Sequence, residues 1–413
     1  MRWEVLELGK LADTSSGGTP SRSNNKFWCG NIPWVKSGQL QDCYINDCEE
    51  YITELGLANS SAKTFPAGTL LLALYGATAG KLGILNFPAT TNQAICGIFP
   101  KNGVLHTKYL YYFLLSTRNQ IIKDSIGGAQ PNISQAYVRN IKIPLPPLEE
   151  QKRIAQVLDK ADRLRQKDRQ LLAHYDHLLQ SVFLDMFGDP VRNEKGWERG
   201  TIREIITEAK YGTSKPAELE GEYPYLRMNN LTYSGSMDFT NLKYINLEAQ
   251  ERDKYLVKKG DLLFNRTNSK ELVGKTAVYR SDTEMAIAGY LIRVRTNNRA
   301  NTDYISGYLN SIHGKDTLKG MCKSIVGMAN INAQELQDIK ILIPPKALQD
   351  KYAGIVEKVE EMKLTVTRSI DKSETLFQSL LQKAFKGELA LQEVEAVEEQ
   401  VSAKPKFVIS SIL

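Results

Sequence analysis

The chain has 413 residues, 53 of them lysine or arginine and 47 aspartate or glutamate, so at a net charge of +6 it is long enough for several buried cores, on the order of two to four domains. No apolar run is long enough to span a bilayer, and Met1-Arg2-Trp3-Glu4-Val5 lacks the apolar stretch of a secretory leader. Cys29, Cys43, Cys48, Cys96 and Cys322 show no paired metal-ligand spacing and read as reduced cysteines of a cytoplasmic protein.

The opening Trp3-Glu4-Val5 leads into Gly17-Gly18-Thr19-Pro20-Ser21-Arg22-Ser23-Asn24-Asn25-Lys26. This is a donor-rich loop whose Thr19, Ser21, Arg22 and Lys26 suit phosphates or a groove. Asn31-Ile32-Pro33-Trp34-Val35-Lys36 follows, and strands are predicted over Thr69–Leu74, Gly83–Asn86 and Ala94–Phe99. Lys36 and Lys81 are candidates for phosphate or base contact, although surface lysines near loops are commonplace. Gln130, in Gly128-Ala129-Gln130-Pro131-Asn132-Ile133, joins them, with turn capping as its more ordinary role. After Ile143-Pro144-Leu145-Pro146-Pro147-Leu148 the period changes. From Leu148 to Phe187 there is no proline or glycine, and Ile154, Leu158, Ala161, Leu164, Leu171, Tyr175, Leu178 and Val182 form one stripe, interrupted at Asp168. Gly188-Asp189-Pro190 ends this helix.

The same order then recurs. Trp197-Glu198-Arg199 answers Trp3-Glu4-Val5, Glu222-Tyr223-Pro224-Tyr225-Leu226-Arg227 answers the segment before Lys36, and Gly274-Lys275-Thr276 answers Gly80-Lys81-Leu82. The closing Ile341-Leu342-Ile343-Pro344-Pro345-Lys346 again precedes a long stripe, which contains Ile355, Val359, Met362, Val366, Ile370, Phe377 and Leu380. A period of about 195 residues is far too long for a solenoid unit, so a domain and its helix are duplicated. Strands are predicted from Lys275 to Tyr279 and from Tyr290 to Val294. Phe264-Asn265-Arg266-Thr267-Asn268-Ser269-Lys270 offers Asn265, Arg266 and Asn268, the types that make bidentate contacts to adenine and guanine edges. Lys215, Arg227, Lys275 and Lys323 complete the candidate DNA-binding set. The tail beyond Glu388 is acidic and lysine- and arginine-free to Gln400, which concentrates positive charge in the body of the protein.

Two helices of such length, about 60 Å each at 1.5 Å per residue, need a partner along their stripes. They either pack separately on their own domains or pair with each other. Matched lengths at equivalent places in the repeat favour antiparallel pairing. Two domains held apart by such a rod suit a split DNA site, with an upper spacing of about 18 base pairs.

Motifs for catalysis fail. Gly76-Ala77-Thr78-Ala79-Gly80-Lys81-Leu82 has three residues between its glycines and leucine where a phosphate loop needs a hydroxyl, and Ser269 occupies the leading glycine position before Gly274-Lys275-Thr276. No Asn/Asp-Pro-Pro-Tyr/Phe segment of an amino-methylating centre is present. His106, His174, His177 and His313 make no metal cluster, although His174 and His177 stand three apart on the first long helix. No catalytic or metal-binding residue is therefore assigned.

The duplicated halves, together with Ile141-Lys142-Ile143-Pro144-Leu145-Pro146-Pro147-Leu148-Glu149-Glu150-Gln151-Lys152-Arg153-Ile154 and Ile339-Lys340-Ile341-Leu342-Ile343-Pro344-Pro345-Lys346-Ala347-Leu348-Gln349, make the chain resemble the specificity subunits of type I restriction-modification systems over nearly its full length. The second closing segment departs from the family form at Lys346-Ala347, and Tyr352 falls where the first copy has Ile154. The resemblance implies an α+β protein with an internal pseudo-twofold duplication. Two mixed α/β target-recognition domains with barrel-like sheets, at 1–147 and 189–345, would be separated by an antiparallel two-helix coiled-coil rod from 148–188 and 346–388. The acidic segment 389–413 reads from its composition as a flexible tail, with a strand at Phe407-Val408-Ile409 packed beside the N-terminal domain as the alternative. The chain would be non-catalytic and bind no cofactor itself. Each domain would read half of a bipartite duplex target, and the helices would dock two methylation subunits, with restriction subunits in the full complex. S-adenosylmethionine, ATP and magnesium would belong to those partners. An orphan subunit serving methylation only, and a scaffold that binds proteins but not DNA, are the alternative readings.

Overall fold

The computed structural model describes residues 3–125, 132–269, 271–322 and 329–389. The chain divides into two units. One runs to Lys167 and takes in the segment from Asp371; the other spans Asp168–Ile370.

In the first unit the strands Leu70–Ala73, Leu82–Leu85 and Ile95–Pro100 are buried on both faces over most of their length, which is why they read as unbroken apolar runs. Side chains alternate between faces. Leu70, Leu72, Leu82, Ile84, Cys96 and Ile98 face a core shared with the helix Thr107–Asp124. Leu71, Ala73, Leu85 and Ile95 enter a second core with Val35, Leu40 and Phe65. The sheet order is Ala12–Ser16, Ile95–Pro100, Leu70–Ala73, Leu82–Leu85 and Cys43–Ile45, antiparallel except for the last pair. A separate three-stranded sheet joins Glu50–Ile52, Trp28–Val35 and Thr90–Thr91. Glu4–Glu7 pairs antiparallel with Lys142–Leu145, Val5 opposite Pro144.

The second unit repeats this plan. Ile206–Tyr211, Leu291–Thr296, Leu262–Asn265 and Thr276–Val278 form one sheet; Lys243–Ile245, Tyr223–Leu226, Met285–Ile287 and Leu256–Val257 form another. Glu198–Thr201 pairs with Lys340–Ile343 as its counterpart does at the start of the chain. Leu262 and Phe264 point to the helix-covered core, and Leu263 to the opposite one. The strands observed from Leu70, Leu82, Ile95, Thr276 and Leu291 lie within a residue or two of those predicted.

The barrel-like sheets expected from the family resemblance are not found. Among the described residues every sheet is open: Ala12–Ser16 and Cys43–Ile45 stand at opposite edges without meeting, as do Ile206–Tyr211 and Thr276–Val278. The reason is physical. Each central sheet already buries both faces, one under helices and one under the smaller sheet, so curling closed would expose one of those cores.

The two domains are linked by long helices. Leu148–Phe187 and Lys346–Lys386 begin where the chain leaves its Pro-Pro pairs and end at Gly188 and Gly387, whose φ of +79° and +75° suit a residue without Cβ. In the first unit Ile154, Val157, Leu158 and Ala161 pack with Phe377, Leu380, Leu381 and Ala384, and both sets also line the core under Tyr109 and Tyr112. In the second, Tyr175, Val359 and Val366 are buried, with Leu171, Leu178, Ile355 and Met362 partly so around them. In both units the start of one helix therefore lies against the end of the other, which is antiparallel pairing. Pairing and packing on the domain coexist, where the sequence posed them as alternatives. Leu164 is also buried. Asp168, the interruption of the stripe, is 3% exposed and accepts a hydrogen bond from Ser369 Oγ at 3.0 Å. The segment 390–413, including Phe407–Ile409, lies outside the described residues.

Candidate nucleic-acid interface

The loop after Ala12–Ser16 passes close under the smaller sheet. A Cβ on Gly17 would stand 2.3 Å from Thr91 O, and Trp34 Nε1 donates to Gly18 O at 2.9 Å. Thr19 donates to Gln93, Ser21 and Ser23 bond to each other at 2.8 Å, and Trp28 Nε1 donates to Ser21 O at 3.1 Å. The Arg22 guanidinium lies 3.7 Å above the Trp28 ring and pairs with Glu50. Lys36 reaches both Glu49 and Glu50 at 2.9 Å. The hydrogen bond from Arg22 holds the Glu50 carboxyl below its ordinary range, against burial and with help from Lys36. Lys26 is exposed.

Beyond Gly80, at φ +79°, Lys81 pairs with Asp42 at 2.9 Å, and Arg118 holds the same carboxylate from its helix. Burial works to raise the Asp42 pKa, but hydrogen bonds from Lys81, Arg118 and Leu82 N–H outweigh it and leave it lowered. Arg22, Lys36 and Lys81 thus have internal carboxylate partners. The Arg22 and Lys36 pairs are open to water, where such contacts contribute about 0–1 kcal/mol, so exchanging their carboxylates for a phosphate costs little. Gln130 lies outside the described residues.

In the second domain Thr213, Lys215, Tyr225, Arg227, Arg266 and Tyr290 are among the residues lining a cavity of about 640 Å³. Lys215 pairs with Glu251 at 2.6 Å. Arg227 donates from Nη2 to Asn241 O at 2.6 Å, while its buried Nε has no acceptor among the described residues. Arg266 donates from Nε to Asn330 Oδ1 at 3.2 Å, its guanidinium 4.8 Å from the centre of the Tyr211 ring. Asn268 Oδ1 accepts from Ser269 N–H at 2.9 Å. Asn265 is fully buried, its Oδ1 accepting from Thr267 N–H at 3.3 Å, so its carboxamide supports the turn and is enclosed by it. Lys275 is half-buried beside Gly274, and Lys323 lies outside the described residues.

The sequence offered no sign of the groups that orient these cations. Glu50, Asp42, Tyr211 and Asn330 stand far along the chain from the side chains they hold. Lys315 was also missed. It is 7% exposed, its Nζ has no hydrogen-bond acceptor among the described residues, and it lies 4.4 Å from the centre of the Tyr233 ring. Burial, with Lys275 and Lys319 nearby, lowers its pKa to about 8. Among the described residues no group of three or more His, Cys, Asp or Glu side chains could hold a metal ion, and no helix is long and apolar enough to cross a membrane.

Comparison with known proteins accounts for this arrangement. A family model described as the type I restriction modification DNA specificity domain matches residues 1–173 and again 194–373. The chain is 26% identical to the type I restriction enzyme MjaIX specificity subunit of Methanocaldococcus jannaschii, over 95% of this chain and 94% of that one. It is 25% identical to the EcoKI specificity subunit of Escherichia coli, over 87% and 83% respectively. The crystal structure of the type I restriction-modification system S subunit from M. genitalium shares the fold, with a TM-score of 0.53 at 17% identity, covering 93% of this chain and 96% of that one. A duplicated frame bearing polar loops, matched twice by one family, defines a DNA specificity protein: the chain belongs to the type I restriction-modification DNA specificity family. Within it, this is the non-catalytic subunit that supplies DNA-sequence specificity to a type I restriction-modification complex.

Proposed function

We propose that the domains at 1–147 and 189–345 each read one half of a bipartite duplex, while the helices at 148–188 and 346–388 set the unread gap between them. The observation that carries this reading is the repeated frame with unlike surface chemistry. Equivalent strands and helices recur, but Arg22 stacked on Trp28 and tied to Glu50 in one domain stands against an open cavity flanked by Arg227 and Arg266 in the other. Similar scaffolds with different polar fittings suit two different half-sites.

Thr19, Ser21, Arg22, Lys26, Lys36, Lys81 and Gln130 would serve the first half-site. Lys215, Arg227, Asn268, Lys275 and Lys323 would serve the second around Arg266, with Asn265 shaping the turn beneath it. Ile154, Leu158, Leu164, Leu171, Leu178, Ile355, Val359, Met362, Val366, Phe377 and Leu380 hold the helices together, leaving outward positions such as Leu364, 60% exposed, for two methylation subunits. Those partners would carry S-adenosylmethionine, and restriction subunits ATP and magnesium, in the cytoplasm. The test is selection from randomised duplexes by the chain assembled with its methylation partner. Two short motifs at a fixed separation support the reading; no enriched sequence from a folded, assembled complex overturns it.

A further inference from the structure

Arg266 combines a firmly held side chain with a charge that no acid among the described residues neutralises. Its backbone N–H donates to Tyr290 O at 3.0 Å, and its carbonyl accepts from Ile331 N–H at 2.9 Å. The short ladder Thr267–Asn268 with Ala329–Asn330 fixes the strand that follows it. Its Nε is occupied by Asn330 Oδ1, and its plane lies near the Tyr211 ring, which is itself anchored because Tyr211 OH accepts from Ala333 N–H at 2.8 Å. Yet no carboxylate among the described residues pairs with it. Arg252, Arg280, Arg293, Arg295 and Arg299 in the same domain are each tied to an acid. In the first domain Arg22, the comparable cation over an aromatic ring, is neutralised by Glu50.

A guanidinium whose Nε is already engaged presents its two terminal nitrogens as a fixed fork. The partner that matches such a fork without an ionic charge is the O6/N7 edge of guanine. The half-exposed side chain is among those lining the 640 Å³ cavity, together with Arg227, Asn229 and Tyr290. Fixing the fork in advance removes most of the ordering cost of a long side chain.

We infer that Arg266 is a specificity-determining residue that reads one guanine in the half-site of the second domain, with Asn330 and Tyr211 as its positioning residues. This rests on the reading that the second domain contacts a half-site. Duplex selection is carried out with the assembled complex bearing the native chain, Arg266→Ala, Arg266→Lys or Asn330→Ala. Arg266→Ala abolishes the preference for one G·C pair, a loss of about 5- to 150-fold in discrimination there, while the other half-site stays unchanged. Arg266→Lys keeps the charge without the fork and weakens the same preference. Asn330→Ala, which leaves the arginine in place, relaxes that position alone and covers the case in which Arg266→Ala fails to fold. A uniform fall in affinity with both motifs intact makes Arg266 a phosphate contact and overturns the inference while leaving half-site recognition standing. Absence of any motif from the native complex removes both.

Discussion

The backbone N–H of His106 donates to Oε1 of Gln151 at 2.9 Å, joining the start of the domain helix to the start of the long one. Gln151 spends its amide on Val104 O at 3.0 Å and Pro146 O at 2.9 Å, and it is fully buried. The second domain repeats the device. Gln349 accepts from Asn301 N–H at 2.9 Å and donates to Arg299 O and Pro344 O at 3.0 and 2.8 Å. One carboxamide thus satisfies three backbone groups from two segments that meet at a helix origin.

Replacing either glutamine by leucine keeps the bulk but strands those groups. Each unmet buried group costs about 1–3 kcal/mol. Gln151→Leu and Gln349→Leu are each expected to lower denaturant stability by about 3 kcal/mol, and proteolysis should show the loss in the domain that carries the change. A variant within about 0.5 kcal/mol of the parent would match an ordinary surface substitution and refute the role.

Asp42 carries the contact between Lys81 and Arg118. Its folded pKa lies below the unfolded one, so its contribution is present above the ordinary carboxylate range and is lost as pH falls through the lowered folded value. Asp42→Asn should destabilise the first domain at neutral pH by about 1–3 kcal/mol and flatten the acid limb of its stability curve. An unaltered acid limb would show that the carboxylate contributes nothing there.

Lys315 has the opposite linkage. Its folded pKa, about 8, lies below that of a free lysine, so the unfolded chain binds the extra proton between about pH 8 and the usual lysine range. The stability penalty is full below that window and fades as pH rises through it. Lys315→Met should stabilise the second domain at neutral pH, with the advantage over the parent shrinking as pH climbs to about 10. Comparing the two chains cancels the alkaline titration of buried tyrosines such as Tyr304. A pH-independent difference would argue against a depressed amine.

Phe377 is fully buried between Arg165, whose guanidinium is 3.9 Å from the ring centre, and Tyr112 at 6.1 Å. Phe377→Ala removes a core aromatic and should cost about 3–5 kcal/mol. If the loss of stability is confined to the helix end and Tyr112 keeps its surroundings in fluorescence or exchange measurements, the helix is an accessory to that core and not a wall of it.

The long helices were legible because a stretch free of proline and glycine, flanked by Pro-Pro and Gly188, leaves the backbone little alternative. The central strands were legible as short apolar runs. Whether a sheet closes was not, because closure depends on which strands meet at its edges, and the edge positions of Ala12–Ser16 and Cys43–Ile45 leave no local mark. At the site, residue types were visible but their engagements were not. Lys81 and Asp42 meet across 39 positions, and Arg266 and Asn330 across 64. Asn265 had the right chemistry in the right loop, yet the fold turns its amide inward.

The first domain is assembled from two stretches of chain that are far apart in order of synthesis. Its core includes Phe377, Leu380, Leu381 and Ala384, which the ribosome adds about two hundred residues after Ile154 and Leu158. Translation runs at roughly 5–20 residues per second, so a nascent first domain waits on the order of ten seconds with an apolar strip bare before its last wall arrives. A chaperone that shelters that strip, or a slow stretch of codons placed to time its burial, would act on this interval and on nothing that the finished protein displays.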